Sequence, residues 1–271
     1  MSAYFALLRT RYRMQLQYRA AAVAGAATQL FFGAIKISVL EAFYRSSDTA
    51  PPLSMSDAIA YIWLGQALLA LLPWNRDRDL EQLVRSGDVV FEWARPLDLY
   101  TMWYVRTLGQ RAAGASLRSL PIFVLAGWLL PLTPWRVWAL PPPDSTAALA
   151  GFALGMLVAL LLGAAITTLM HACLLFTISG EGMALIMPSL VMFFSGLAVP
   201  LPLLPDALQP WLLASPFAAL ADLPYRIYCG ALSLERAAVP LALGLGWSVL
   251  WVLLGRSLVT RAQTRIIVQG G

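Results

Sequence analysis

Long apolar runs separated by short polar stretches make up most of this 271-residue sequence. A helix needs about 20 apolar residues to cross a bilayer, because each residue rises about 1.5 Å and the hydrocarbon layer is about 30 Å thick. Six runs approach that length, and they predict an all-α integral membrane protein with six transmembrane helices. The predicted spans are residues 20–43, 57–73, 110–132, 146–179, 182–199 and 238–258.

Two prolines and one long run shape these predicted spans. Pro73 ends the second run, and Pro121 predicts a kink in the third, because proline cannot donate a helical hydrogen bond. Residues 146–179 carry no charged side chain and would extend about 50 Å as a helix. One end of this helix is therefore expected to project beyond the lipid.

The first 19 residues have a different pattern. Phe5, Leu8, Tyr12 and Leu16 recur at helical spacing among four arginines, one of which falls close to the apolar stripe. Arginine can extend its charge toward water while its stem covers apolar surface. Residues 1–19 are therefore predicted to form an interfacial helix that lies on the inner leaflet.

Residues 200–224 are rich in proline and otherwise mostly apolar. Such a segment is too broken to span a membrane as one helix and too apolar to lie in water. Irregular backbone at membrane depth is tolerated only where protein or a water-filled cavity satisfies its polar groups. We expect short helices that re-enter the outer leaflet, interrupted by Pro200, Pro202, Pro205, Pro210 and Pro216.

Residues 75–98 form a polar insert between the second and third predicted spans. Of the 19 basic and 14 acidic side chains in the chain, ten lie in this insert. Leu80, Leu83 and Val84 form one apolar stripe at helical spacing, and Gly87 follows as a helix stop. The stripe either contacts the chain's own spans or, as we favour, fits a groove on a cytoplasmic partner while flanking charges set the register.

Composition and charge support a membrane location. Hydrophobic residues make up 59% of the chain and charged residues 12%, whereas soluble domains average about 45–50% and about 25%. The net charge of +5 is explained by membrane orientation rather than by nucleic acid, because arginine and lysine accumulate on the cytoplasmic side of membrane proteins. With both termini and the insert cytoplasmic, twelve arginines fall inside: Arg9, Arg11, Arg13, Arg19, Arg76, Arg78, Arg85, Arg95, Arg106, Arg256, Arg261 and Arg265. Four fall outside: Arg45, Arg136, Arg226 and Arg236.

The chain offers few residues suited to catalysis or metal binding. Its only lysine, Lys36, has no glycine-rich phosphate loop before it, which excludes ATP hydrolysis by that kind of loop. Its only histidine, His171, excludes a paired-histidine zinc site and is interpreted as a helix-packing residue. Cys173 and Cys229 lie far apart and are also interpreted as packing residues. No catalytic residue and no metal site is predicted on this chain.

Three cationic side chains lie within predicted spans. Lys36, Arg111 and Arg118 are costly in lipid and are expected to face protein or a wet cavity. Arg111 and Arg118 are seven residues apart and share a helix face. They either line an inner vestibule or extend their charges to the inner leaflet surface; the second is favoured for Arg111, and both remain open for Arg118.

Three stretches of the chain carry a resemblance to a known family. LVRSGDVVFEWARPLDLY contains a glycine-terminated helix followed by Arg-Pro-Leu. FFSGLAVPLPLLPDALQPWLLASPFAALADLP contains a Ser-Gly, Pro and Leu-Pro run, and PYRIYCGAL follows it with an Ile-Tyr-x-Gly segment. In order and spacing, these stretches resemble the permease subunits of type-2 ATP-binding-cassette exporters, and more narrowly a poorly characterised bacterial branch of them.

The resemblance implies partners for the chain. Residues 76 to about 95 would form a coupling helix that docks on a separate ATPase dimer, which would hold ATP and Mg²⁺, while this chain would hold no cofactor. A second permease, identical or related, would complete the pathway in a bacterial inner membrane, surrounded by membrane lipids. The docking residues expected on this basis are Leu80, Glu81, Leu83, Val84, Arg85, Gly87, Asp88, Phe91, Glu92, Arg95 and Pro96.

Two half-bundles that meet in a membrane need small residues where their backbones approach. The fourth predicted span offers Gly151, Gly155 and Gly163 for such a seam. The rival hypothesis to an exporter is an ATP-independent membrane enzyme or a lipid-binding scaffold. A secondary carrier is less favoured, because the sequence shows neither inverted repeats nor helices broken at mid-membrane.

Overall fold

The computed structural model describes residues 3–46, 51–74, 77–177 and 181–265, without the side chain of residue 19. The described residues are helical and contain no β-strand, which confirms the all-α prediction for them. The α-helices are α1 (Ala3–Leu16), α2 (Arg19–Ser46), α3 (Met55–Ala67), α4 (Arg78–Ser86), α5 (Val89–Trp93), α6 (Leu99–Phe123), α7 (Thr146–Thr177), α8 (Glu181–Phe194), α9 (Gln209–Ala214), α10 (Asp222–Tyr228) and α11 (Leu234–Arg265).

Four helices are long and apolar enough to cross a membrane. They extend over Ala20–Ser46, Leu99–Leu132, Thr146–Thr177 and Leu234–Arg265. The last of these helices packs along α7, which is the most buried of the four. The fold is therefore compatible with a multi-pass membrane protein.

The other two predicted spans are shorter than expected. The second is α3, with 13 residues, followed by a single 3₁₀ turn at Leu69–Leu71. The fifth is α8, with 14 residues, and the chain reverses after it at Gly196, whose φ of 81° favours glycine. Each helix is about 20 Å long, which is less than the thickness of the hydrocarbon layer. Among the described residues, four helices are thus candidates for spanning, and the prediction of six spans is not confirmed.

The third predicted span begins earlier than its apolar run indicates. Helix α6 starts at Leu99, eleven residues before the expected boundary at residue 110, and Asp98 caps it by accepting the Thr101 N–H at 2.9 Å. The helix passes through Pro121 and changes to a π-helix at Val124–Leu129. Polar residues of its first three turns face the polar insert, so apolar content alone could not locate its start.

Helix α1 packs against α6. A Cβ placed on Gly109 would lie 3.0 Å from the carbonyl oxygen of Leu8, and the Tyr12 hydroxyl lies 3.3 Å from Ser116 Oγ. Leu7 joins the apolar cluster beside α4, whereas Phe5 is half-exposed. Three of the four residues of the predicted stripe, Leu8, Tyr12 and Leu16, are thus partly covered, and Phe5 is the exception.

The proline-rich segment folds into short helices that close one end of the bundle. They are Leu201–Leu203, α9 and Ala218–Leu220, followed by α10. Asp222 is fully buried there; it accepts a hydrogen bond from the Tyr61 hydroxyl at 3.0 Å, and its backbone N–H donates to the Ser195 carbonyl. Pro216 is buried, while Pro205 and Pro210 are exposed and Pro200 and Pro202 lie between these extremes.

Candidate functional site

A buried ion pair attaches α4 to α6. Asp77 Oδ2 lies 2.6 Å from Arg106 Nε, and both side chains are only 5% exposed. Gln110, one turn further along α6, donates to the same oxygen at 2.9 Å. The other carboxylate oxygen caps α4 by accepting the Asp79 N–H at 3.0 Å. Because one side chain makes both the cap and the ion pair, α4 cannot leave α6 without exposing a buried charge.

Helix α7 also contacts Asp77, through His171. Nε2 of His171 accepts the backbone N–H of Asp77 at 3.0 Å, and the histidine is buried. This contact agrees with the interpretation of His171 as a packing residue. The first residue of the insert that the structure describes is therefore bonded to two of the four candidate spanning helices.

The apolar stripe of α4 faces the chain's own helices. Leu80 is completely buried, and Leu83 and Val84 are partly buried. They pack in a cluster with the start of α6, the end of α7 and α11, whose buried members include Leu99, Trp103, Ala172 and Val259. Of the two interpretations of the stripe, the structure supports contact with the chain's own spans. Leu80 therefore offers no exposed surface to a partner in this structure.

Helix α5 is attached by its own polar contact. Glu92 Oε2 accepts the indole N–H of Trp103 at 2.7 Å, and Glu92 is 8% exposed. Val89 is also buried in the cluster beneath α4. The expectation that Glu92 faces a partner is thus replaced by an inward hydrogen bond, which a carboxylate in this buried position needs.

The outer face of the insert carries the predicted docking residues that are still exposed. Phe91 is 73% exposed and Val90 37% exposed. Gly87 forms the sharp turn between α4 and α5; its φ of 81° favours glycine, and open space surrounds the position of a Cβ. Glu81 is mostly covered and pairs with Arg85 at 2.8 Å. The other exposed members of the predicted docking set are Arg85, Asp88, Arg95 and Pro96.

The Asp77 carboxylate links folding to pH. Burial raises the pKa of Asp77, but the Arg106 guanidinium and the hydrogen bonds from Arg106 and Gln110 outweigh burial and lower the pKa below its usual value. A carboxyl whose pKa is depressed by folding contributes stability above its unfolded pKa of about 3.9, and loses that contribution as pH falls through the folded pKa.

We therefore predict that acidification destabilises the native chain more than an Asp77→Asn variant. Between about pH 5 and about pH 3, the melting temperature in detergent should fall more steeply for the native chain. The native chain has the Asp77 carboxylate, which becomes protonated in this range, and the variant does not. The comparison is between slopes, since the variant also loses stability at neutral pH. Parallel slopes would contradict the coupling.

The three predicted intramembrane cations do not share one site. Arg111 and Arg118 line a single cavity, whereas Lys36 lies partly buried on α2 outside it. Arg111 is 7% exposed; it donates to the carbonyl oxygen of Leu71 at 2.9 Å and also to Thr167 Oγ1. The alternative in which Arg111 extends to the lipid surface is thus not the one the structure adopts.

The predicted glycine seam is filled by this chain's own segments. A Cβ on Gly151 would lie 2.7 Å from Ile227, and a Cβ on Gly155 would lie 2.9 Å from Pro224, both in α10. At Gly163 the nearest atom would be the backbone oxygen of Leu71, at 2.7 Å. The three glycines therefore permit close packing inside the chain, and their face of α7 is not open to a second subunit.

Sequence reasoning missed the residues that hold the insert in place. Trp103 and Gln110 were assigned no role, and Arg106 entered only as a charge that indicates orientation. The signal was present, because each carries a polar group within four turns of the start of a largely apolar helix. Such groups need partners when buried, and the nearest acidic side chains in sequence are those of the insert.

Comparisons of this chain with protein-family models, with curated proteins and with solved structures found no match. The functional assignment therefore depends on the sequence motifs and on the geometry described above.

Proposed function

We propose that this chain is the membrane-spanning permease subunit of an ATP-driven exporter, which forms half of a translocation pathway and is coupled to a separate ATPase dimer. The observation that carries this proposal is the two-sided arrangement of α4 and α5. Their inner side is bonded to spanning helices, while their outer side presents an exposed aromatic residue beside charged groups. The resemblance of LVRSGDVVFEWARPLDLY to the coupling signature of type-2 exporters supports the same role.

A coupling element has to transmit force, and the contacts of the insert are suited to this. The Asp77–Arg106 ion pair connects α4 to α6, and the Trp103–Glu92 hydrogen bond connects α5 to the same helix. The His171 contact adds α7. Displacement of the insert by an ATPase would therefore be passed to two long helices at once, because packed elements move as units.

In this proposal α3 and α8 are two further, shorter helices embedded in the membrane, and both termini and the insert are cytoplasmic. Helix α1 lies at the inner interface, and the segment around α9 re-enters the outer leaflet. Large exposed apolar side chains on α2, α8 and α11 support a surface covered by lipid or by a second permease. Examples are Phe31, Ile35, Val39, Leu185, Phe193, Val249 and Leu253.

Replacing Phe91 with alanine is expected to release the ATPase. Exposed aromatic residues that enter a partner's pocket dominate interface energies, and a loss of about 1.4 kcal/mol weakens binding about tenfold. When the complex is purified from the host membrane through a tag on this chain, we expect about tenfold less ATP-binding subunit and correspondingly less ATP hydrolysis in the eluate. Quantitative mass spectrometry of that subunit is the measurement.

A matched control is Trp211→Ala in α9, which removes an aromatic side chain of similar exposure, 78%, at the other end of the bundle. This variant should retain the ATP-binding subunit. Equal recovery with both variants, at unchanged melting temperature, would remove Phe91 from the interface. If the native chain recovers no ATP-binding subunit, and the chain alone acts on membrane lipids in liposomes, the rival membrane-enzyme hypothesis is correct.

A further inference from the structure

A cavity of about 560 Å³ lies where the insert meets the spanning helices. Its walls come from the end of α1, the start of α2, the turn after α3, the start of α4, α6 and α7. This volume is within the range of cavities that hold small ligands, about 300–1,000 Å³. The cavity does not include the exposed face of α5, so it is separate from the proposed ATPase contact.

The charges that face this cavity are mostly positive. Arg78, Arg111 and Arg118 line it, against one carboxylate, that of Asp77, among the described residues. The Asp77 carboxylate is already occupied by Arg106 and Gln110. A bound anion would therefore meet an excess of guanidinium groups.

Two of these arginines have unused hydrogen-bonding capacity. Within the described ranges, the side chains of Arg78, which is exposed, and Arg118, which is partly buried, form no ion pair or hydrogen bond. Arg118 lies against α2 at Gly25, where an added Cβ would be 3.4 Å from its Nε. Glycine at this position leaves room for the guanidinium beside the cavity.

Arg111 adds an independent observation. Its terminal nitrogens bond to the turn after α3 and to Thr167, but its Nε is buried without a partner. A buried donor that lacks a partner costs free energy until an acceptor reaches it. Arg111 is therefore a third guanidinium on the cavity wall and adds positive charge there, although its Nε is itself closed to solvent.

We propose that this cavity binds the phosphate group of an anionic membrane lipid. Arginine matches phosphate in charge and in planar, two-donor geometry. The remaining lining includes Leu69, Leu72 and Leu117, with the aromatic rings of Tyr18 and Trp74. Aliphatic surface with aromatic rings next to basic groups suits the junction of acyl chains and headgroup. The candidate spanning helices α2 and α6 form part of the wall, which favours a lipid over a phosphate compound in solution.

Lipid retention by the full-length chain tests this proposal. Native mass spectrometry of the chain in micelles should show retained phosphatidylglycerol but no retained uncharged diacylglycerol. The double variant Arg78→Gln, Arg118→Gln should retain about tenfold less phosphatidylglycerol, because each charge-assisted contact contributes substantially to binding. The control Arg136→Gln, Arg236→Gln removes the same charge from exposed residues elsewhere and should retain the native amount.

Two further arms keep the result interpretable. Arg118→Lys preserves the charge without the planar donors and should give intermediate retention, and melting temperatures verify that each variant folds. If the double variant and its control retain equal amounts of phosphatidylglycerol, the proposed binding site is wrong. Displacement of phosphatidylglycerol by an equal concentration of free glycerol phosphate overturns the lipid assignment in favour of a soluble phosphate. The assay uses the chain without an ATPase, so it succeeds or fails independently of the Phe91 experiment.

Discussion

Replacing Arg106 with leucine is expected to destabilise the folded chain by about 3–5 kcal/mol, because breaking a buried ion pair from one side leaves an uncompensated charge. The charge left behind is that of Asp77, whose side chain is 5% exposed and keeps only Gln110 as a side-chain partner. Chemical or thermal unfolding in detergent, followed by loss of helical signal, measures the change. Protonation of Asp77 in the variant would limit the cost, so the effect should be largest near neutral pH.

The double variant Arg106→Leu, Asp77→Asn should recover part of the lost stability, since the unpaired charge is gone. A control is Arg256→Gln, which breaks a solvent-exposed ion pair with Asp98 whose atoms are 3.5 Å apart and whose side chains are 53% and 42% exposed. Its cost should be about 0–1 kcal/mol. If Arg106→Leu and Arg256→Gln lower the free energy of unfolding by the same amount, the insert is not anchored through Arg106.

Replacing Gly163 with alanine is expected to destabilise the chain by about 1–3 kcal/mol, as adding a methyl group to a close-packed interior usually does. The new Cβ would lie 2.7 Å from the backbone oxygen of Leu71, which is also a hydrogen-bond acceptor for Arg111. A flexible side chain could move aside, but this carbonyl belongs to a turn held by that hydrogen bond. The wall of the cavity that contains Arg111 should therefore shift, and phosphatidylglycerol retention should fall together with the unfolding temperature.

Gly246→Ala in α11 is the matched control, because a Cβ there meets no atom within 4 Å. Alanine is favoured over glycine inside a helix by about 0.5–1 kcal/mol. This variant should be as stable as the native chain or slightly more stable. If the stability change is negative for Gly163→Ala and zero or positive for Gly246→Ala, the difference is due to packing, because helix propensity favours alanine equally in both helices. If both variants lose stability, the close contact between α7 and Leu71 is not the reason that Gly163→Ala destabilises the chain.

The direction of the α4 stripe shows where sequence reasoning reached its limit. The spacing of Leu80, Leu83 and Val84 predicts a helix with one apolar face, and Gly87 predicts its end; the structure has α4 at Arg78–Ser86 with Gly87 in the left-handed region. Spacing within one helix cannot say what covers that face. Trp103 and Val259, which lie on other helices, cover it here. The docking surface that we propose therefore lies outside this stripe, at Phe91 on α5.

The same limit applies to the pairing of charges. Asp77 and Arg106 are 29 residues apart in sequence, and each could equally have been a solvated loop charge. The lengths of α3 and α8 also escaped prediction, because the apolar runs continue past their ends into turns that pack against other segments. Apolar content predicts burial in lipid or protein, but it does not distinguish a helix from a packed turn.

By itself, the sequence determined the all-α fold of the described residues, the approximate positions of four long apolar helices and the start and stop of α4. These properties follow from composition and from the periodicity of neighbouring residues, which a linear pattern contains. Only the tertiary structure decided which face of α4 is covered, which charges pair and which arginines share a cavity. Those outcomes depend on contacts between residues far apart in the chain, where packing and the need to satisfy buried polar groups select one arrangement.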